Sequence, residues 1–216
     1  MFTHRVLLLA VLTPVLAPAL RAQDAFVHLL KGDTIVIERF TRTATRLDVD
    51  MTQKGVIRQT FTSRIGADGR LEGMSLAAYA AGASATGTPL ANAELSMTGD
   101  TVVAVMRGAG GAAQTQRVPS KAGAQLRVNG SFAQFEVLIA AARRAKTPEA
   151  TLTLFATAGG QTRDAVLSGL LTDSVSVKVG AAETWMVTDR AGRIVRGGVP
   201  AQGLTATRVT GVAAAQ

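Results

Sequence analysis

The chain has no cysteine among its 216 residues. That removes disulfides, thiolate metal ligands and a cysteine nucleophile at once, and a lipid-modified cysteine as well. Histidine is nearly as scarce. His4 lies in the first few residues, so His28 stands alone in the rest. A zinc site of several histidines within one subunit is excluded, and a Ser-His-Asp triad would have to recruit His28 itself. His28 alternates with Phe26 and Leu30 in a strand-like run, the setting of a partly buried structural imidazole rather than a catalytic base. Aromatic residues make up 4% of the chain, with Trp185 and Tyr79 each the sole example of its type. That is too few for the stacked platforms of carbohydrate or single-stranded nucleic-acid readers. Acids are in the minority, 15 against 23 lysines and arginines. No glycine-rich loop leads into a helix in phosphate-binding form, and no Gly-x-Ser-x-Gly elbow occurs.

The longest apolar stretch, Val6 to Leu16, is interrupted by Thr13 and Pro14, too short to span a bilayer comfortably. It follows the positive His4-Arg5 and precedes Leu20-Arg21-Ala22. This is the layout of a cleaved secretory signal over residues 1–22. The expected product is a soluble periplasmic or secreted protein of a Gram-negative bacterium. Cleavage removes Arg5 and Arg21 and no acid, lowering the formal charge of +8 by two. A surface that stays basic favours weak attraction to an anionic envelope surface, and it also aids solubility.

What remains is dominated by period-two alternation. Leu47, Val49 and Met51 interleave with Asp48, Asp50 and Thr52, while Ile57, Phe61 and Ile65 oppose Arg58, Thr60, Thr62 and Arg64. Successive strand side chains point to opposite faces, so this pattern describes sheets with one wet face. Gly32-Asp33, Lys54-Gly55, Gly99-Asp100, Thr172-Asp173 and the Asp189–Gly192 segment supply hairpin turns. Strands joined by such short links must be antiparallel neighbours. Strands are expected at 25–31, 34–42, 44–52, 56–65, 70–79, 93–98, 101–107, 124–129, 151–157, 163–171, 174–179, 183–188, 193–197 and 204–209.

One segment breaks the rhythm. In 131–145, Ser131 and Gln134 have capping-box spacing, and Phe135, Leu138, Ile139 and Ala142 recur at helical spacing. Arg143, Arg144 and Lys146 sit at the negative end of the helix dipole, and Pro148 closes the segment. Two stretches of small residues, 80–92 and 108–123, read as mobile loops. The expectation is a mainly β (α+β) fold: a curved antiparallel sheet or half-barrel of hairpins wrapping one central helix. It forms a single domain over 23–210, with a frayed tail at 211–216.

The Gly32–Phe40 start, the successive hairpins, the central helix and the Glu183–Val195 ending carry a family likeness. In these features the chain resembles exported β-rich bacterial proteins of unknown function and the lipoprotein-carrier (Lol-type) half-barrels. The resemblance is one of architecture and contains no catalytic signature. It implies an acyl chain or other apolar ligand held between sheet and helix.

Candidate site residues follow from that picture. Leu47, Val49, Met51, Phe61, Phe135, Leu138, Leu154 and Trp185 are expected to line a pocket, though Val49, Phe61, Leu138, Leu154 and Trp185 serve equally as core. Glu38 shares a face with Val36 and Phe40. It is either an acid facing the cavity, a rim partner of Arg58 or Arg64, or turned outward by a bulge. Asp48 and Asp50 lie two apart on a wet face, where a solvated pair is the plain reading. Arg39, Arg42, Arg46, Arg58, Arg64 and Arg70 are diluted by Asp48, Asp50 and Asp68, so nucleic acid is not an expected partner. The sequence reading is a non-enzymatic binding protein, with no cofactor or metal, for a lipid-like or other small apolar ligand. The alternatives are an envelope interaction module with a packed core and a basic docking face, and a hydrolase using Glu38, Asp48 and Asp50.

Overall fold

The computed structural model describes residues 23–84 and 86–212. The signal reading of residues 1–22 and the tail beyond Val212 lie outside the described residues. Strands β1 (Gln23–Leu30), β2 (Asp33–Arg42), β3 (Arg46–Gln53), β4 (Ile57–Ile65), β5 (Leu71–Ala80), β6 (Ala91–Thr98), β7 (Thr101–Gly108) and β8 (Gln114–Pro119) come first. After β9 (Gln125–Arg127) and helix α1 (Phe132–Arg143) come β10 (Glu149–Ala156), β11 (Gln161–Ser168), β12 (Ser174–Val179), β13 (Ala182–Thr188), β14 (Ile194–Val199) and β15 (Leu204–Val212).

The fifteen strands of the described residues form one curved, unclosed sheet, in the order β8-β7-β6-β5-β4-β3-β2-β1-β15-β14-β13-β12-β11-β10-β9. Two meanders therefore meet where β1 pairs with β15, Val27 opposite Thr207. Short turns dictate the antiparallel pairings. At Lys31-Gly32 both residues have positive φ, 52° and 94°, the backbone of a tight two-residue hairpin whose twist matches the strands. The exception is β9, which pairs parallel with β10, since α1 supplies the crossover a parallel return needs.

The alternation places Phe26, Phe40, Leu47, Val49, Met51, Phe61 and Met74 in the buried core. Ser131 caps α1 by accepting from the Gln134 N–H at 3.1 Å. The expected box is only half made. The Gln134 side chain instead accepts from Val128 N at 2.7 Å and donates to Ser63 Oγ at 3.1 Å. At the other end Arg143 donates to the Leu170 and Thr172 carbonyls at 2.9 and 2.6 Å, and Arg144 to the Ala67 carbonyl at 3.1 Å. The basic last turn thus ties the helix to surrounding loops.

Three expectations are corrected. The 108–123 loop contains β8, which pairs with β7 from Met106–Gln114 to Thr101–Pro119. An edge strand has one partner and little burial, so backbone hydrogen bonds sustain it without an apolar pattern. Gly211 and Val212 belong to β15. Trp185 does not enter the core. It faces outward beside Gly198, because its neighbours Thr184 and Met186 take the inward positions. Among the described residues no helix is long and apolar enough to cross a membrane.

Candidate ligand cavity

The polar centre of the interior is Glu38. It is fully buried, on the face it shares with Phe40, and its partners are neither Arg58 nor Arg64. One oxygen accepts from Ser131 Oγ at 2.5 Å and Ala133 N at 3.2 Å, the other from Phe132 N at 2.9 Å. His28 Nε2 lies 3.3 Å from that second oxygen. The carboxylate is therefore the anion that the open N–H groups of α1 require. Those donors offset the cost of burying it. His28 is buried and stands edge-on to Phe132 with centroids 5.3 Å apart. Phe26 stacks on Phe40 at 5.4 Å. Every polar atom of Glu38 is thus engaged in holding α1 against the sheet.

A second buried acid, Glu136, anchors the same helix further along. It accepts from Ile194 N at 2.9 Å and from Arg208 Nη1 at 2.6 Å, and Arg208 also pairs with Asp24. Glu136 is the sole acid in 131–145. An acid within an apolar helix was the available signal that it needs a partner.

Beside the Glu38 cluster the helix and sheet separate. A cavity of about 440 Å³ opens between the start of α1, β9 and the inner faces of β10–β15. Phe132 and Phe135 form its helix wall, and Val177, Val179, Val199 and Leu204 its sheet wall. The size falls within the roughly 300–1,000 Å³ range of small-molecule sites. Gly197 brings the sheet against Phe132: a Cβ there would lie 2.5 Å from the ring and 2.6 Å from the Trp185 carbonyl.

Arg127 lines this cavity. Its guanidinium carbon lies 4.3 Å from the Phe135 ring centroid, a cation–π geometry. Its Nε is buried and has no hydrogen-bond partner among the described residues. Burial pushes the guanidinium down to about 10, against the opposing pull of Glu38. It remains charged at neutral pH. The expected strand at 124–129 contained Arg127, but nothing in the sequence marked what its side chain would face.

Of the residues expected to line a pocket, Phe135 alone borders this cavity. Leu47, Val49, Met51, Phe61, Leu138 and Leu154 are buried in the core. Val49 and Phe61 also border a shallower concavity of about 240 Å³ beside Arg39, Asp48 and Asp50. Trp185 borders a different one with Ser174 and Val187, on the outer face. Arg46 donates to both oxygens of Asp48 at 2.8 and 2.7 Å, and Arg58 to both of Asp50 at 2.9 and 2.7 Å. Among the described residues no three His, Cys, Asp or Glu side chains converge as a metal-binding group.

No protein-family model and no curated protein matches the sequence. Solved structures that share the fold include the following two. One is a DUF1089 family protein of Pseudomonas aeruginosa, 12% identical, with a TM-score of 0.51 over 89% of this chain and 95% of that one. The other is a β-barrel-like protein of the domain of unknown function DUF1849 from Brucella abortus. It is 11% identical, with a TM-score of 0.50 over 88% and 96%. The likeness is of fold alone, that of an uncharacterised β-rich domain.

Proposed function

We propose that the protein is an exported binding protein that holds a lipid-like or other small apolar ligand between sheet and helix and performs no chemistry on it. The observation that carries this reading is the cavity walled by Phe132, Phe135, Val177, Val179, Val199 and Leu204. An apolar-walled space of this kind gains by exchanging water for apolar ligand surface. The polar groups of the adjoining helix start are committed to structure. Glu38 and Ser131 cap the helix, and His28 is tied to Glu38.

Native mass spectrometry of the protein expressed in bacteria should find a co-purified apolar molecule. The delipidated protein should bind the neutral dye N-phenylnaphthylamine with enhanced emission. Ala156→Phe, which places a ring in the cavity, should abolish the enhancement while leaving the circular dichroism spectrum intact. Quenching of Trp185 is the wrong readout, since that indole lies on the outer face. Absence of both co-purified molecule and dye uptake would instead favour a packed envelope module docking by its basic face, measurable as salt-sensitive retention on envelope membranes. Export itself predicts a mature N-terminus at Gln23, readable by N-terminal sequencing of the periplasmic fraction.

A further inference from the structure

We propose that the occupant of the cavity is an anionic amphiphile, an apolar chain ending in a carboxylate-like head group, and that Arg127 binds the head. This rests on the cavity being a ligand site. Three features of its lining point to the sign of the charge. Two of its residues, Arg127 and Arg163, are cationic, and it contains no acid. The two cations differ in kind. Arg163 is exposed, and its guanidinium donates to Gln161 Oε1 at 2.8 Å. Arg127 sits against the Phe135 ring with its Nε buried and unpartnered among the described residues.

The carboxylate whose field reaches Arg127 is Glu38. Both of its oxygens are already held by Ser131, Phe132 N, Ala133 N and His28. A charge held in a partly dry site without a hydrogen-bonded counter-ion is costly. An anion supplied by the ligand offsets that cost. The planar guanidinium fork accepts a carboxylate through two parallel N–H···O bonds. The phenylalanines and valines beyond it then receive the chain, so head and tail are recognised by adjoining parts of one cavity.

The experiment is competition against bound N-phenylnaphthylamine by dodecanoate, dodecanol and acetate, which separate charge with chain, chain alone and charge alone. Dodecanoate should displace the dye at least tenfold more effectively than dodecanol, as expected when a charged hydrogen bond is gained, and acetate should displace none. Whatever its affinity for the dye, Arg127→Met should lose the preference for dodecanoate over dodecanol. Arg127→Lys should keep part of it, and Arg163→Met nearly all. Equal displacement by dodecanoate and dodecanol in the parent protein overturns the proposal, and that comparison needs no variant to fold. So does a preference that survives in a folded Arg127→Met, or dye displacement by neither chain. Failure of the parent protein to take up the dye at all would count instead against the cavity as a binding site.

Discussion

Over strands β1–β5 the inner face of the sheet carries Phe26, Phe40, Leu47, Met51, Phe61 and Met74, all buried. Near the start of α1, over β10–β13, the inward positions pass to Ala156, Val177, Val179, Ala182 and Thr184, and the space stays open. The same sheet and helix frame both regions. Side-chain volume separates them: large residues close the gap between helix and sheet, and small ones leave it. Glu38 on the closed side is saturated with donors; on the open side Arg127 lines the cavity with a buried Nε that has no partner among the described residues, as do the Arg39 and Arg208 Nε and the Gln125 Nε2 elsewhere in the sheet.

The sharpest way to break this contrast is Glu38→Leu. It would strand the Ser131 hydroxyl, two helix N–H groups and His28 in the interior. A loss of about 3–5 kcal/mol is expected, read as a lowered urea midpoint. Gly197→Val should cost about 1–3 kcal/mol, because its Cβ meets the Phe132 ring and the Trp185 carbonyl. Phe132 also lines the cavity, so this variant should alter dye affinity as well as thermal stability.

Arg127→Met should move stability the opposite way, raising it by about 1–3 kcal/mol in the ligand-free protein by removing a poorly solvated charge. The folded guanidinium is depressed from the ordinary arginine range to about 10. Both folded and unfolded chains are therefore protonated at neutral pH, and the cost is constant there. It is relieved only above about pH 10, as the folded state releases its proton first. The gain from Met should accordingly be flat from about pH 6 to 9, which urea titrations across that range would check. Asp189→Asn should have the smallest effect, under about 1 kcal/mol. The Arg193 backbone N–H foremost, and then its guanidinium, hold the Asp189 carboxyl below its usual 3.8. That contribution is present above the usual carboxylate range and disappears as pH falls through the lowered value. Parent and variant should therefore differ near neutrality and converge in strong acid.

Much of the architecture was legible because it is local. Each expected strand corresponds to an observed one, since alternation and turn chemistry act over a few residues. The helix was visible from its cap and apolar stripe. β8 was hidden because an exposed edge strand needs no apolar pattern. Trp185 was misplaced because alternation tells which residues share a face, while which face turns inward is settled elsewhere. Glu38 illustrates the same limit. Its shared face with Phe40 was readable, yet the helix groups that hold it lie more than ninety residues away in sequence.

By itself the sequence determined the hairpin ladder, the helix that follows Ser131 and the exclusion of thiol and multi-histidine chemistry, all of which follow from composition and short-range periodicity. The tertiary structure alone decided that β1 meets β15, that Glu38 caps α1, and that Arg127 borders an open space rather than solvent. Those outcomes depend on which distant residues the curvature of the sheet brings against one helix end, and on whether their volumes fill the gap.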